Sequence, residues 1–177
     1  IKHLKLIWHY ARGIAFVRKN NAKEAQEELD AIQEMMHDPD LENLIAAGFD
    51  PSSAIAKVAY EVVAGELAAL RGDLSKAVEH LENAVGFEDA LTYTEPAAWY
   101  IPTRQNLGAV LMNAGNYEEA EKIFKEDLDI LRQNGWSLMG LYNSLKAQGK
   151  LKEAEAIKQE FDTAWQHADI DIDTSVL

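Results

Sequence analysis

The chain has 177 residues, 47% of them hydrophobic on a broad count and 27% charged, with only 10 glycines and 4 prolines. That is enough for one domain with a substantial core, and a composition rich in Ala, Leu, Glu and Lys favours helix. A formal charge of −13 argues against nucleic-acid binding through phosphates, and the absence of cysteine excludes a disulfide framework and a thiolate metal site.

No apolar run approaches the roughly 18–20 residues that cross a bilayer, so no membrane insertion is expected. The lack of cysteine decides between neither cytoplasm nor periplasm, with a slight lean to the cytoplasm. The first residue is Ile1, and "IKHLKLIWHYARG" opens inside a helical pattern. The expectation is a piece of a longer protein whose N-terminal region is missing.

In chain order, apolar spacing predicts helices over 2–19 and 22–36. The stretch "HDPDLENLIAAGFDPSS" reads as an insertion, 37–51, with a short helix at 40–47. Pro51 with Ser52 and Ser53 restarts the pattern, and helices follow at 52–71 and 74–91. A second insertion covers 87–96. Helices are then predicted over 97–114, 117–132, 136–148 and 151–168.

Within "YTEPAAWYIPTRQNLG", Thr94 or Glu95 can cap and Pro96 suits a first helical turn. Pro102 removes a hydrogen bond further in and disfavours helix at Ile101. Either a kink or a separate turn over 96–100 is expected there. The tail "DIDIDTSVL", 169–177, has no helical period and is expected to be mobile or docked on a neighbour.

The helices repeat. "LGAVLMNAGNYEEAEKIF" (107–124) and "LYNSLKAQGKLKEAEAIK" (141–158) align at a spacing of 34 residues, matching Leu107 with Leu141, Gly115 with Gly149 and Ala120 with Ala154. "AGELAALRGDLSKAVEHL" and "RGIAFVRKNNAKEAQEEL" carry the same pattern earlier. Gly13, Gly65 and Gly108 hold the small position at which a first helix approaches its partner. Gly72, Gly115 and Gly149 follow the first helix where a left-handed residue can cap it, and Asn20 takes that place in the first copy.

Each copy resembles the tetratricopeptide repeat, a helix–turn–helix unit, and the resemblance covers nearly the whole chain. It implies an all-α right-handed superhelix (an α-α solenoid) of four repeats in one domain, 1–168. The repeats would occupy about 6–36, 52–91, 97–132 and 135–168. "WHYARG", "YTEPAAWYIPTRQNLGA" and "NGWSL" look similar, more narrowly, to the C-terminal region of large bacterial proteins of this family that have no assigned function. On that reading Leu4 and Trp8 are left partly uncovered.

The family lines its concave groove with the first helix of each repeat. Carried over by position, the resemblance implies peptide contacts from Tyr10, Arg18, Val62, Glu66, Gln105, Met112, Asn113, Trp136 and Asn143, with Met139 on the same face. The Lys and Asn arrangement by which some members clamp a terminal carboxylate is missing. A short array can also fill its own groove.

No HExxH, GxSxG, P-loop or GxGxxG motif occurs, so no catalytic residue, cofactor or metal site is assigned. His37, Asp38 and Asp40 read as a turn and cap, and Asp169, Asp171 and Asp173 as a solvated tail. Four charged groups remain: Arg12, Glu61 and Arg104 at positions expected to be interior, and Glu95 nearby. They form either an internal ion network or an anion pocket walled by Trp8, Tyr93, Trp99 and Tyr100. The leading expectation is a non-catalytic protein- or peptide-binding scaffold. The alternatives are that small-molecule or anion pocket, and a structural module that caps the array or forms a homodimer.

Overall fold

The computed structural model describes residues 1–46 and 48–176. They divide into two compact units, the first ending at Thr103 and the second beginning at Arg104, where the sequence led us to expect a single array.

In the first unit, α1 (Lys2–Arg18) and α2 (Ala22–Met36) form one helix pair. The insertion follows as α3 (Pro39–Asn43) and a two-residue hairpin of β1 (Ile45–Ala46) with β2 (Asp50–Pro51), paired antiparallel. The second pair is α4 (Ser52–Leu70) with α5 (Leu74–Asp89). In the second unit the pairs are α6 (Thr103–Asn113) with α7 (Tyr117–Ile130), and α8 (Gly135–Ala147) with α9 (Leu151–Trp165). By its packing, Thr103 belongs to the first unit.

Apolar spacing accounts for which face each helix buries. Ala25, Leu29 and Ile32 make one stripe along α2, while α4 is apolar nearly all round and touches α1, α2 and α5. A helix apolar on every side belongs in a core, and Ile55, Val58, Ala59 and Val63 have no exposed surface.

Each first helix of a pair ends in the same way. The N–H of Gly72 donates to Ala69 O and that of Asp73 to Ala68 O, which satisfies two carbonyls the helix end would otherwise strand. Asn20, Gly115 and Gly149 repeat the pattern, all with positive φ. Close approach comes from the small positions. A Cβ on Gly65 would lie 2.6 Å from Leu81 Cγ, and one on Gly108 would lie 2.3 Å from Phe124 Cζ.

The structure departs from expectation at residues 97–102, which are not helical. Neither a kinked helix nor a separate turn over 96–100 forms. Pro102 cannot donate an interior helical hydrogen bond and disfavours helix at Ile101, so no helix runs through it and α6 starts at Thr103. There the Thr103 N–H and hydroxyl both donate to Glu88 Oε2, at 2.8 and 2.5 Å. The helix expected at 40–47 is α3 and ends at Asn43; Ala47 lies outside the described residues. Asp38 caps α3 by accepting from the Asp40 N–H, and both aspartates sit 2.6 Å from Lys2 Nζ.

Segment 169–176 does not stand free of the helices. It folds back on its own unit, and Leu177 lies outside the described residues.

Candidate functional site: the first-helix faces of the two units

In the first unit this face belongs to α1 and α4, and it is closed by its own side chains. Arg18 forks onto Glu66, Nη1 to Oε2 at 2.6 Å and Nη2 to Oε1 at 3.2 Å. Burial alone would lower the Arg18 pKa, but the Glu66 carboxylate raises it. Tyr10 is largely buried, with its ring edge-on to Trp99 at 4.8 Å. Its phenol is pushed well above its usual range by burial and then by the Glu66 charge. Val62 is 1% exposed and lies in the core, so it presents no surface to a peptide. The reason is geometric: α4 is covered on both sides, and its inward positions have become core.

The charged groups singled out in the sequence find separate partners. Glu28, on α2, accepts from His9 Nδ1 at 2.6 Å and forms an ion pair with Arg12, whose Nη2 is 3.1 Å from Oε1. Arg12 also lies over the Trp8 ring, 4.1 Å from its centroid, and stays partly exposed. Glu61 faces His80 Nδ1 at 2.6 Å. Glu95 accepts from the Tyr93 hydroxyl, and Arg104 Nε is 3.8 Å from Glu126 Oε2. Carboxylates already oppose both arginines, so the unopposed charge an anion needs is not on offer. Tyr93 and Tyr100 are exposed, whereas Trp99 is buried against Tyr10. A depression of about 600 Å³ beside them is lined by His3, Phe49, Glu95 and Pro96 among others, and contains no arginine.

In the second unit this face is in contact with the chain's own segment 169–176. Asn143 Nδ2, on α8, donates to the main-chain carbonyl of Asp173 at 2.8 Å. The Ser175 hydroxyl donates to the main-chain carbonyl of Gln105, on α6, at 3.2 Å. Between them Ile172 packs on Leu138, Met139 and Phe161. Trp165 closes one side: its indole N–H donates to Ile170 O at 2.7 Å and its ring stacks on Phe161. Trp136 meets Trp165 edge-on at 5.6 Å. Of the remaining residues mapped to this face, Met112 is half-buried and Asn113 exposed. The Gln105 side chain is itself buried, so its contribution to this contact is a backbone one.

Sequence reasoning missed Glu28, His80, Trp165, Ile172 and Ser175. A signal for Ile172 was present. Ile170 and Ile172 alternate with the aspartates of 169–173, and a period of two marks an extended segment with one side able to pack.

Behind this face, Glu121 links α7 to the turn after α8. It accepts from Lys125 Nζ (2.5 Å), Lys150 Nζ (2.7 Å) and Gln148 Nε2 (2.8 Å). Burial would raise its pKa, but these donors hold it down at about 2. Asp127 moves the other way: burial raises it, against donation from Ser137 and Asn134 and the nearby charge of Arg104. No helix among the described residues is long and apolar enough to cross a membrane.

Comparison with known proteins agrees with this architecture. Residues 103–133 match the family model described as tetratricopeptide repeat. No curated protein sequence matches the chain. Among solved structures it is similar to the nearly identical TPR-like repeats of a Podosopora anserina chain assigned as a kinesin light chain. The TM-score is 0.63 at 14% identity, over 97% of this chain and 79% of that one. A singly substituted form of the same protein gives 0.63 at 15% identity, over 96% and 79%. At such identities the likeness carries the fold alone. Residues 103–133 match one tetratricopeptide repeat, and over nearly the whole length the chain has the all-α fold of such repeat arrays.

Proposed function

We propose that this protein is a non-catalytic scaffold that binds an extended peptide on the α6–α8 face of its second unit. The observation that carries the reading is the Asn143–Asp173 hydrogen bond. A side-chain amide there grips a main-chain carbonyl, a contact that recognises extended backbone whatever the side chain. Met112, Asn113 and Trp136 border the same helices and offer mixed apolar and polar contact, as peptide grooves do. The first unit contributes its rigid pairing rather than a groove, since Arg18, Glu66, Tyr10 and Val62 satisfy one another or lie in the core.

The test is a pull-down with the full chain, read by mass spectrometry, with Asn113→Ala/Asn143→Ala as the control bait. A partner retained equally by both baits moves binding to another face. A second reading, a homodimer through α1, rests on Leu4 and Trp8, which are 70% and 50% exposed. Light scattering over a range of concentrations tests it, and a strict monomer excludes it.

A further inference from the structure

We infer that segment 169–176 is a built-in, releasable occupant of the α6–α8 face. The ligand that replaces it would be an extended peptide with an aliphatic residue three places before a serine or threonine, free of the segment's run of aspartates. This inference rests on the peptide-face reading above.

The segment supplies the specification. Ile172 packs, half-buried, against the cluster of Leu138 and Met139 from α8 and Phe161 from α9. The next residue gives its carbonyl to Asn143, and Ser175, 2% exposed, gives its hydroxyl to the Gln105 carbonyl. Aliphatic at one position, carbonyl at the next and hydroxyl two further on is a register rather than a generic contact, because each element meets a different fixed group.

The hold is light. One partly covered aliphatic side chain and a few hydrogen bonds anchor it, and neither helix nor sheet pairing ties the segment down. Its carboxylates Asp169, Asp171 and Asp173 face solvent on a chain already carrying −13, where repulsion favours release. A segment with few buried contacts opens at low cost relative to the unit it covers. A partner that presents the same register can therefore take the face by competition.

The experiment uses a fluorescein-labelled peptide with the sequence of residues 169–176, read by anisotropy. It is titrated against the intact chain, against Ile172→Asp, and against a chain ending at Ala168. Circular dichroism confirms that the variants fold, and the shortened chain serves if Ile172→Asp does not. Binding at least about tenfold tighter to the released forms is expected, since an occupied face reduces apparent affinity by its free fraction. A peptide with its own Ile172→Asp change should bind none of them. Equal affinity for intact and released chains overturns the occupancy while leaving the peptide face standing. No binding to either released form overturns the peptide face itself. A dimer of the intact chain that Ile172→Asp abolishes makes a second copy the occupant, and overturns competition by a separate partner.

Discussion

His80 meets Glu61 at 2.6 Å across α4 and α5, and the first helix pair holds the same contact with the residue types exchanged, His9 from α1 and Glu28 from α2. In both pairs the partners are 19 residues apart, so the repeat keeps the contact and not the identity. Each carboxylate is largely covered and needs a donor. His80→Glu should therefore set two carboxylates together and cost about 1–3 kcal/mol. Exchanging both, Glu61→His with His80→Glu, should recover most of that loss. Urea unfolding of the two single variants and the double variant supplies the cycle, and no recovery in the double would mean that the pair is not the unit.

Phe124 stands between two glycines, Gly108 of α6 and Gly140 of α8. A Cβ on either would come within 2.3 Å of its ring. The ring is fully buried and cannot swing away. Gly108→Ala should destabilise the second unit by about 1–3 kcal/mol through overpacking. Adding Phe124→Leu to that variant should return part of the loss, although the same change alone is destabilising. Trp136 and Trp165 both lie in this unit and, in a background with Trp8 and Trp99 replaced by Phe, report its unfolding by fluorescence.

Most of the fold was legible because the repeat is written in residues with a single physical use. Positive φ recurs on glycine at 72, 115 and 149, and the small residue that lets two helices close recurs at 13, 65 and 108. Asn20 could be read as a cap from the same logic, and its φ is 58°. The start of α6 was harder. Pro102 announced a break, but the Glu88 carboxylate that receives Thr103 lies 15 residues upstream, beyond the reach of local pattern.

The candidate site was less legible for a related reason. Family positions located Gln105 and Asn143, but no spacing rule tells which partner fills a groove. Segment 169–176 was read by its aspartates, which are solvated, and not by Ile172 between them, which is the anchor. The charged positions misled similarly. Glu61 and Arg104 share one repeat position and Arg12 lies three residues beyond it in its own copy, yet each finds its partner on the second helix of its own pair.

Arg18 of α1 and Glu66 of α4 form a forked ionic contact between the two helices. Glu66 is 5% exposed, so Arg18→Met should remove the guanidinium that faces a buried carboxylate and cost about 3–5 kcal/mol. Replacing both, Arg18→Met with Glu66→Gln, should cost clearly less than the single change. Thermal unfolding of the four forms tests this. A double variant as unstable as Arg18→Met would place the cost in lost arginine packing rather than in the lost guanidinium charge.

Glu121 makes the second unit sensitive to acid in a definite window. Burial would raise its pKa, but Lys125, Lys150 and Gln148 outweigh that and hold it at about 2 in the folded chain, below the ordinary 4.5. A carboxylate depressed on folding contributes stability that is fully present above its unfolded value and is lost as pH falls through the folded one. The contribution should thus be complete at pH 7, fade below 4.5 and be gone near 2. Glu121→Gln removes it, costing about 1–3 kcal/mol at neutral pH. Asp127 pulls in the opposite direction, because its raised pKa lets the folded state take up a proton first and gain stability on acidification. That contribution is common to the parent and to Glu121→Gln and cancels in their difference. Urea midpoints of the two proteins, followed by Trp136 and Trp165 fluorescence in the same background, should therefore converge as pH falls from 4.5 toward 2. A gap that stays constant over that range would show that the Glu121 contacts stabilise by packing and neutral hydrogen bonding, independently of its charge.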